Sequence, residues 1–139
     1  MASLIYNSLM QDVGRNNIDF EADTFYAMLV TSSYTPNKDT PTKRSDVTNE
    51  VAGTGYTAGG SQTTVTATLD TANDRYDISF SDVTWPGSTI TARAAVIYKY
   101  RGGASSNDEL VCYIDFGGNV STTAGTFTLD ITGPLRFQN

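Results

Sequence analysis

From Thr63 to Phe80 apolar and polar residues alternate with a period of two. Val65, Ala67 and Leu69 fall on one side and Thr64, Thr66 and Thr68 on the other. After Thr71-Ala72-Asn73-Asp74 the pattern resumes, with Tyr76, Ile78 and Phe80 set against Asp77, Ser79 and Ser81. A helix repeats every 3.6 residues and would scatter these side chains around its axis, whereas a strand gathers them on one face. The segment therefore reads as a β-hairpin with one dry and one wet face.

The remainder of the chain repeats the theme. Thr24 to Thr31 is apolar on both faces, as a strand covered from two sides would be. Thr89 to Tyr100 carries small or apolar residues at nearly every position, with Ala92, Ala94, Val96 and Tyr98 on one side and Ala95 and Ile97 on the other. Leu110, Cys112, Ile114 and Phe116 form another inward set, and Phe127, Leu129 and Ile131 the last. With shorter pieces near Asp19–Asp23 and Glu50–Tyr56, seven or eight strands are expected in one domain over residues 1–139. The expected fold is an all-β two-sheet sandwich, with a jelly roll as the leading topology. Leu4, Ile5, Leu9, Met10 and Val13 recur at helical spacing before Gly14, so residues 1–20 are expected to form a short helix or arm. Thr42 to Val47 reads as a helical turn within a long loop. After Gly133-Pro134, residues 133–139 form a tail that adds an edge strand or reaches another subunit.

Composition agrees. The 21 threonines and a charged fraction of 17% suit exposed strand faces better than helices, and a typical soluble protein has about 25% charged residues. A formal net charge of −6 argues against nucleic acid. The one basic pair, Lys43-Arg44, is flanked by Asp39 and Asp46 and reads as a solvated loop. No stretch is long and apolar enough for a membrane span, and the N-terminus lacks the pattern of a secretory signal. Cys112 is the single cysteine, in an apolar run, and reads as a buried hydrophobe.

Three patterns invite a chemical reading. Gly53, Gly55 and Ala58 match G-x-G-x-x-A, but a dinucleotide turn needs a strand before it and a helix after it. Here a strand pattern follows, so the glycines are expected to serve an irregular crossover between sheets. Asp19, Glu21 and Asp23 would share one strand face and repel unless a cation sat among them, but no calcium-loop spacing surrounds them. Asp70, Asp74 and Asp77 surround the hairpin turn, where carboxylates serve turn hydrogen bonds more readily than paired acid chemistry. The chain has no histidine, which removes every imidazole-based triad and proton shuttle. No catalytic, cofactor or metal residue is assigned, and an enzyme is not expected.

Several blocks carry a resemblance. They are Asp23-Thr24-Phe25 through Val30, the Tyr34-Thr35-Pro36 loop, Ser45-Asp46-Val47, Glu50-Val51-Ala52 with GTGYTAGG, TWPGSTITAR from Thr84 to Arg93, Ala95-Val96-Ile97-Tyr98, and Tyr113-Ile114-Asp115-Phe116-Gly117. On these, spread over most of its length, the chain resembles small virion proteins of tailed bacteriophages. The resemblance implies a structural role in the virion, foremost as a capsid-decorating or cement protein outside the head. It further implies assembly in the host bacterial cytoplasm, with the major capsid protein or another virion protein as partner. A homo-oligomer is also expected from the edge strands and apolar tail. Leu4, Ile5, Leu135 and Phe137 are the arm candidates for such contacts. Tyr34 and Trp85 are the loop candidates, with packing inside the chain as the plainer reading for each. The alternatives are a tail or head-fibre module that binds host surface glycans, and a head-completion or tail component.

Overall fold

A computed structural model describes residues 3–139, so residues 1 and 2 of the expected N-terminal arm lie outside the described residues. The elements in chain order are β1 (Leu4–Ile5), α1 (Asn7–Gly14), β2 (Phe25–Val30), β3 (Ser61–Thr63), β4 (Val65–Asp70), β5 (Arg75–Phe80), β6 (Val83–Ser88), β7 (Thr91–Lys99), β8 (Leu110–Ser121), β9 (Gly125–Leu129) and β10 (Leu135–Gln138). They form a five-stranded sheet ordered β1-β8-β7-β2-β3, a three-stranded sheet β10-β5-β4 and a ribbon β6-β9. All pairings are antiparallel.

The fold is the expected all-β sandwich. Phe25, Ala27 and Leu29 of β2, with Ala95 and Ile97 of β7, pack against Ile78 and Phe80 of β5, Val83 and Trp85 of β6, and Phe127 and Leu129 of β9. The main core thus lies between the large sheet and the two smaller ones. Of the jelly-roll expectation, nested pairing is present: β7 with β8, β6 with β9 and β5 with β10, as in one folded double-stranded ribbon. The eight strands in two sheets of that topology are not; the second layer is split in two and the strands number ten among the described residues.

The other face of the large sheet is also dry. Met28, Val30, Ala94, Val96, Tyr98, Leu110 and Tyr113 pack there with Tyr6 and Tyr34. The Tyr6 and Tyr34 hydroxyls meet at 2.9 Å. Covering on both sides is why β2 and β7 read as nearly continuous apolar runs.

Two irregularities explain where simple alternation misplaces residues. The β7–β8 register shifts between Ala92 and Ala94 and again between Ile97 and Tyr98. Each shift moves the following side chains to the opposite face. Ala92 therefore joins the main core while Ala94, Val96 and Tyr98 face the second cluster, and Leu110 parts company with Cys112.

Three local expectations are corrected. Leu4 and Ile5 are not helical: they pair with Tyr113 and Cys112, and the helix starts at Asn7. Asp19 to Asp23 is a turn, not a strand. Glu50 to Tyr56 is no strand either but a crossover with isolated bridges at Glu50 and Thr54, while Trp85-Pro86-Gly87 lies within β6, an edge strand that tolerates proline at a bulge.

Candidate functional site

The Glu50–Gly60 crossover runs over one side of the large sheet and is tied down by a carboxylate. Glu50 Oε2 accepts from the Tyr56 hydroxyl at 2.6 Å and from Gly59 N at 2.7 Å. The same Tyr56 oxygen accepts from Leu29 N in β2 at 2.9 Å. Burial, followed by the bond to Glu50, holds the Tyr56 phenol far above its ordinary range. Tyr98 donates its hydroxyl to the Gly59 carbonyl. Gly60 takes φ +78°, and a Cβ there would stand 1.8 Å from the Ala27 carbonyl oxygen. The glycines therefore let backbone lie directly on backbone, and the run that follows is strand β3, so no helix N-terminus awaits a pyrophosphate.

Beside this crossover, Arg44 and the buried acids of the β7–β8 turn form a clamp. Arg44 Nε binds Asp108 Oδ2 at 2.9 Å, and its guanidinium lies 5.0 Å from the centre of the Tyr98 ring. Glu109 is 2% exposed and receives Arg101 through both carboxylate oxygens, at 2.7 and 2.8 Å, with Lys43 at 3.4 Å. Burial works against the Glu109 charge, but these cations outweigh it and hold the carboxyl below its ordinary range. The Lys43-Arg44 pair is thus a structural clamp and not a solvated loop. The Arg101–Asp108 turn is pinned at its base, where Asp108 Oδ1 accepts from Arg101 N at 3.0 Å.

Most of the carboxylates singled out by sequence have partners within the fold. Asp19 Oδ1 accepts from Glu21 N, Asp23 Oδ2 from Asp19 N, and Asp23 pairs with Lys99 at 2.8 Å. Asp19, Glu21 and Asp23 therefore serve a turn, and among the described residues no group of three ligating side chains is placed to hold a metal ion. At the hairpin, Asp70 bonds Asn73 and Arg75, and Asp77 bonds Arg136. The Asn73 side chain lowers the Asp70 carboxyl and Arg136 lowers that of Asp77. Neither group holds a proton at neutral pH, so this pair does not furnish the general acid that glycoside hydrolysis requires. Cys112 is buried, and burial pushes its thiol up to about 12, away from nucleophilic use.

The six candidate contact residues divide sharply. Tyr34 is 7% exposed and Trp85 is 3% exposed, so both are packing residues rather than presented anchors. Trp85 sits 6.0 Å from the Phe127 ring and 5.8 Å from that of Tyr56. Its Nε1–H has no hydrogen-bond partner among the described residues, a condition that costs about 1–3 kcal/mol. Leu4, Ile5, Leu135 and Phe137 belong to two edge strands: β1 on β8 and β10 on β5. Both arms thus fold back on the chain.

Three of those four meet in one place. Leu4, Ile5 and Leu135 line an open groove of about 750 Å³ with Phe116, Val120, Phe127 and Ile131. Ile5 is 48% and Val120 43% exposed, which leaves apolar surface open at this groove. Among the described residues, no strand pairs with the outer side of β8 beyond Tyr113, and β9 pairs only with β6. The groove therefore offers apolar walls between two unpaired strand edges. Phe137 is 41% exposed and lies elsewhere, beside Leu69. Sequence reasoning missed Val120, because Gly117-Gly118-Asn119 reads as the end of a strand that in fact continues to Ser121.

No protein-family model, curated protein or solved structure matches this chain. No helix among the described residues is long and apolar enough to cross a membrane.

Proposed function

We propose that this chain is a structural protein of a bacteriophage virion which decorates the capsid and holds neighbouring shell subunits together, acting by binding and not by catalysis. The resemblance to small virion proteins of tailed phages supplies the setting. The observation that carries the reading is the groove between β1–β8 and β9–β10, where Ile5 and Val120 stand exposed beside two strand edges that no further strand among the described residues covers. An extended apolar segment of a capsid subunit fits such a groove, its main chain pairing with an edge and its side chains entering the apolar walls. Folding both arms back on the body supports the role by giving a rigid bracket, and repetition over a symmetric shell turns modest single contacts into firm retention.

Quantitative mass spectrometry of purified virions tests this. Copy number approaching that of the major capsid protein is the expected result, and a few copies per particle would overturn decoration in favour of a tail or fibre component. Val120→Asp places a charge in the groove at an exposed position and is expected to abolish rebinding to particles stripped of the protein. Leu69→Asp, 70% exposed on the hairpin outside the groove, is expected to leave rebinding intact.

A further inference from the structure

We infer that the cleft between the Tyr26–Tyr100 pair and the Glu50–Gly60 crossover binds a saccharide, at a site distinct from the apolar groove. The cleft has about 700 Å³ of space. The chain carries 15 acidic residues, yet none lines this cleft; its one charged side chain, Arg44, is already neutralised by Asp108. The site is therefore close to neutral inside an acidic protein. That disfavours a phosphorylated ligand, which needs uncompensated cations.

The lining has the two chemistries that a sugar ring requires. Tyr26 and Tyr100 stack with centroids 4.0 Å apart and planes 18° apart, which fixes the orientation of Tyr100 while leaving it 36% exposed. A flat ring held open in this way accepts the C–H face of a pyranose, since the aromatic face is the negative end of the ring quadrupole. Thr57, Ser61 and Thr84 bring hydroxyls to the lining as polar partners for the ring's edge. Trp85 contributes to the same wall, and its indole N–H is buried behind it without a partner among the described residues. A few polar groups converging on an aromatic concavity is the usual design of a small-ligand site.

Because Trp85 is the only tryptophan, its indole N–H gives a single resonance for the test. The nitrogen-15-labelled protein is titrated separately with maltotriose, chitotriose and trigalacturonic acid. At least one of the neutral trimers is expected to move the Trp85 indole signal in a saturable way, with the acidic trimer binding no more tightly because Arg44 is already paired with Asp108. Tyr100→Ala is expected to weaken that binding at least tenfold, while Tyr100→Phe, which keeps the stacked ring, holds it within about twofold, a fraction of a kcal/mol. Gly103 lines the cleft and a Cβ there meets nothing within 4 Å, so Gly103→Phe should block binding in a folded protein even where Tyr100→Ala disturbs the sheet edge. No indole shift with any of the three sugars at ~10 mM, weaker than any affinity worth building a site for, overturns the inference. So does undiminished binding by both Tyr100→Ala and Gly103→Phe. Since Val120 and Ile5 lie outside this cleft, either result leaves capsid rebinding through the groove unaffected.

Discussion

Replacing Gly60 with alanine tests whether the crossover is a fitted structural part. The residue sits at φ +78°, which for any side chain costs about 1–2 kcal/mol. The larger cost is contact. The new Cβ would stand 1.8 Å from the Ala27 carbonyl oxygen and 2.8 Å from Met28 Cα, against about 3.3 Å for a close C···O approach. Relief requires the backbone of the crossover to move by about 1.5 Å away from β2, against the normal C···O approach. That motion pulls on the Phe25–Thr63, Tyr26–Gln62 and Ala27–Ser61 pairs and on the Gly59 bonds to Glu50 and Tyr98. Losing two or three such hydrogen bonds at about 1 kcal/mol each brings the total to roughly 4 kcal/mol. Gly87 is the control, with φ +60° and nothing within 4 Å of a built Cβ, so Gly87→Ala carries only the backbone term of about 1–2 kcal/mol. In a thermal melt followed by circular dichroism, each kcal/mol moves the midpoint by about 4 °C for a domain this size. Gly87→Ala is expected to fall by about 4–8 °C and Gly60→Ala by about 15 °C or more, or to fail to fold. Equal shifts for the two variants would refute the reasoning.

Tyr6→Phe and Tyr34→Phe each leave the partner hydroxyl without its 2.9 Å companion in a buried site, so each single variant should lose about 1–3 kcal/mol. The double variant should lose less than the sum, read by a denaturant double-mutant cycle. Acid should unfold the protein through its carboxylates. Asp115 is held well below its ordinary range by the Gly117 amide and then by Arg93, and Glu109, Asp46, Asp70 and Asp77 are also lowered. A depressed folded-state value means that stabilisation is complete above the unfolded value near 4 and is lost as pH falls through the folded value. Denaturant midpoints should therefore be flat from neutral pH to about 5 and drop below about 4; a protein equally stable at pH 2 and pH 7 would refute this.

Much of the fold was legible because burial leaves a periodic trace. The β4–β5 hairpin, with Tyr76, Ile78 and Phe80 inward, needed only a period of two. The double-sided character of β2 was visible for the same reason: Phe25, Ala27 and Leu29 serve one cluster and Met28 and Val30 the other. Bulges were not legible. Nothing local marks Ala92 and Ala94 as facing opposite ways, because the shift is set by how β8 pairs across Gly117-Gly118. Nor was the Arg44–Asp108 clamp legible, since its partners are 64 residues apart. Of the candidate contact residues, the apolar character of Leu4, Ile5 and Leu135 pointed to the groove, but Val120 joined it only through three-dimensional proximity.

By itself the sequence determined that the chain is a β-sandwich held by packing, for alternation and threonine content act locally on the backbone and one cysteine permits no internal disulfide. Tertiary structure decided which aromatic residues are hidden, which strand edges stay open, and that the glycine-rich stretch is a crossover seated on β2. The physical reason is that periodicity reports how a residue faces its own strand, while exposure and pairing depend on segments distant in the chain that arrive only on folding.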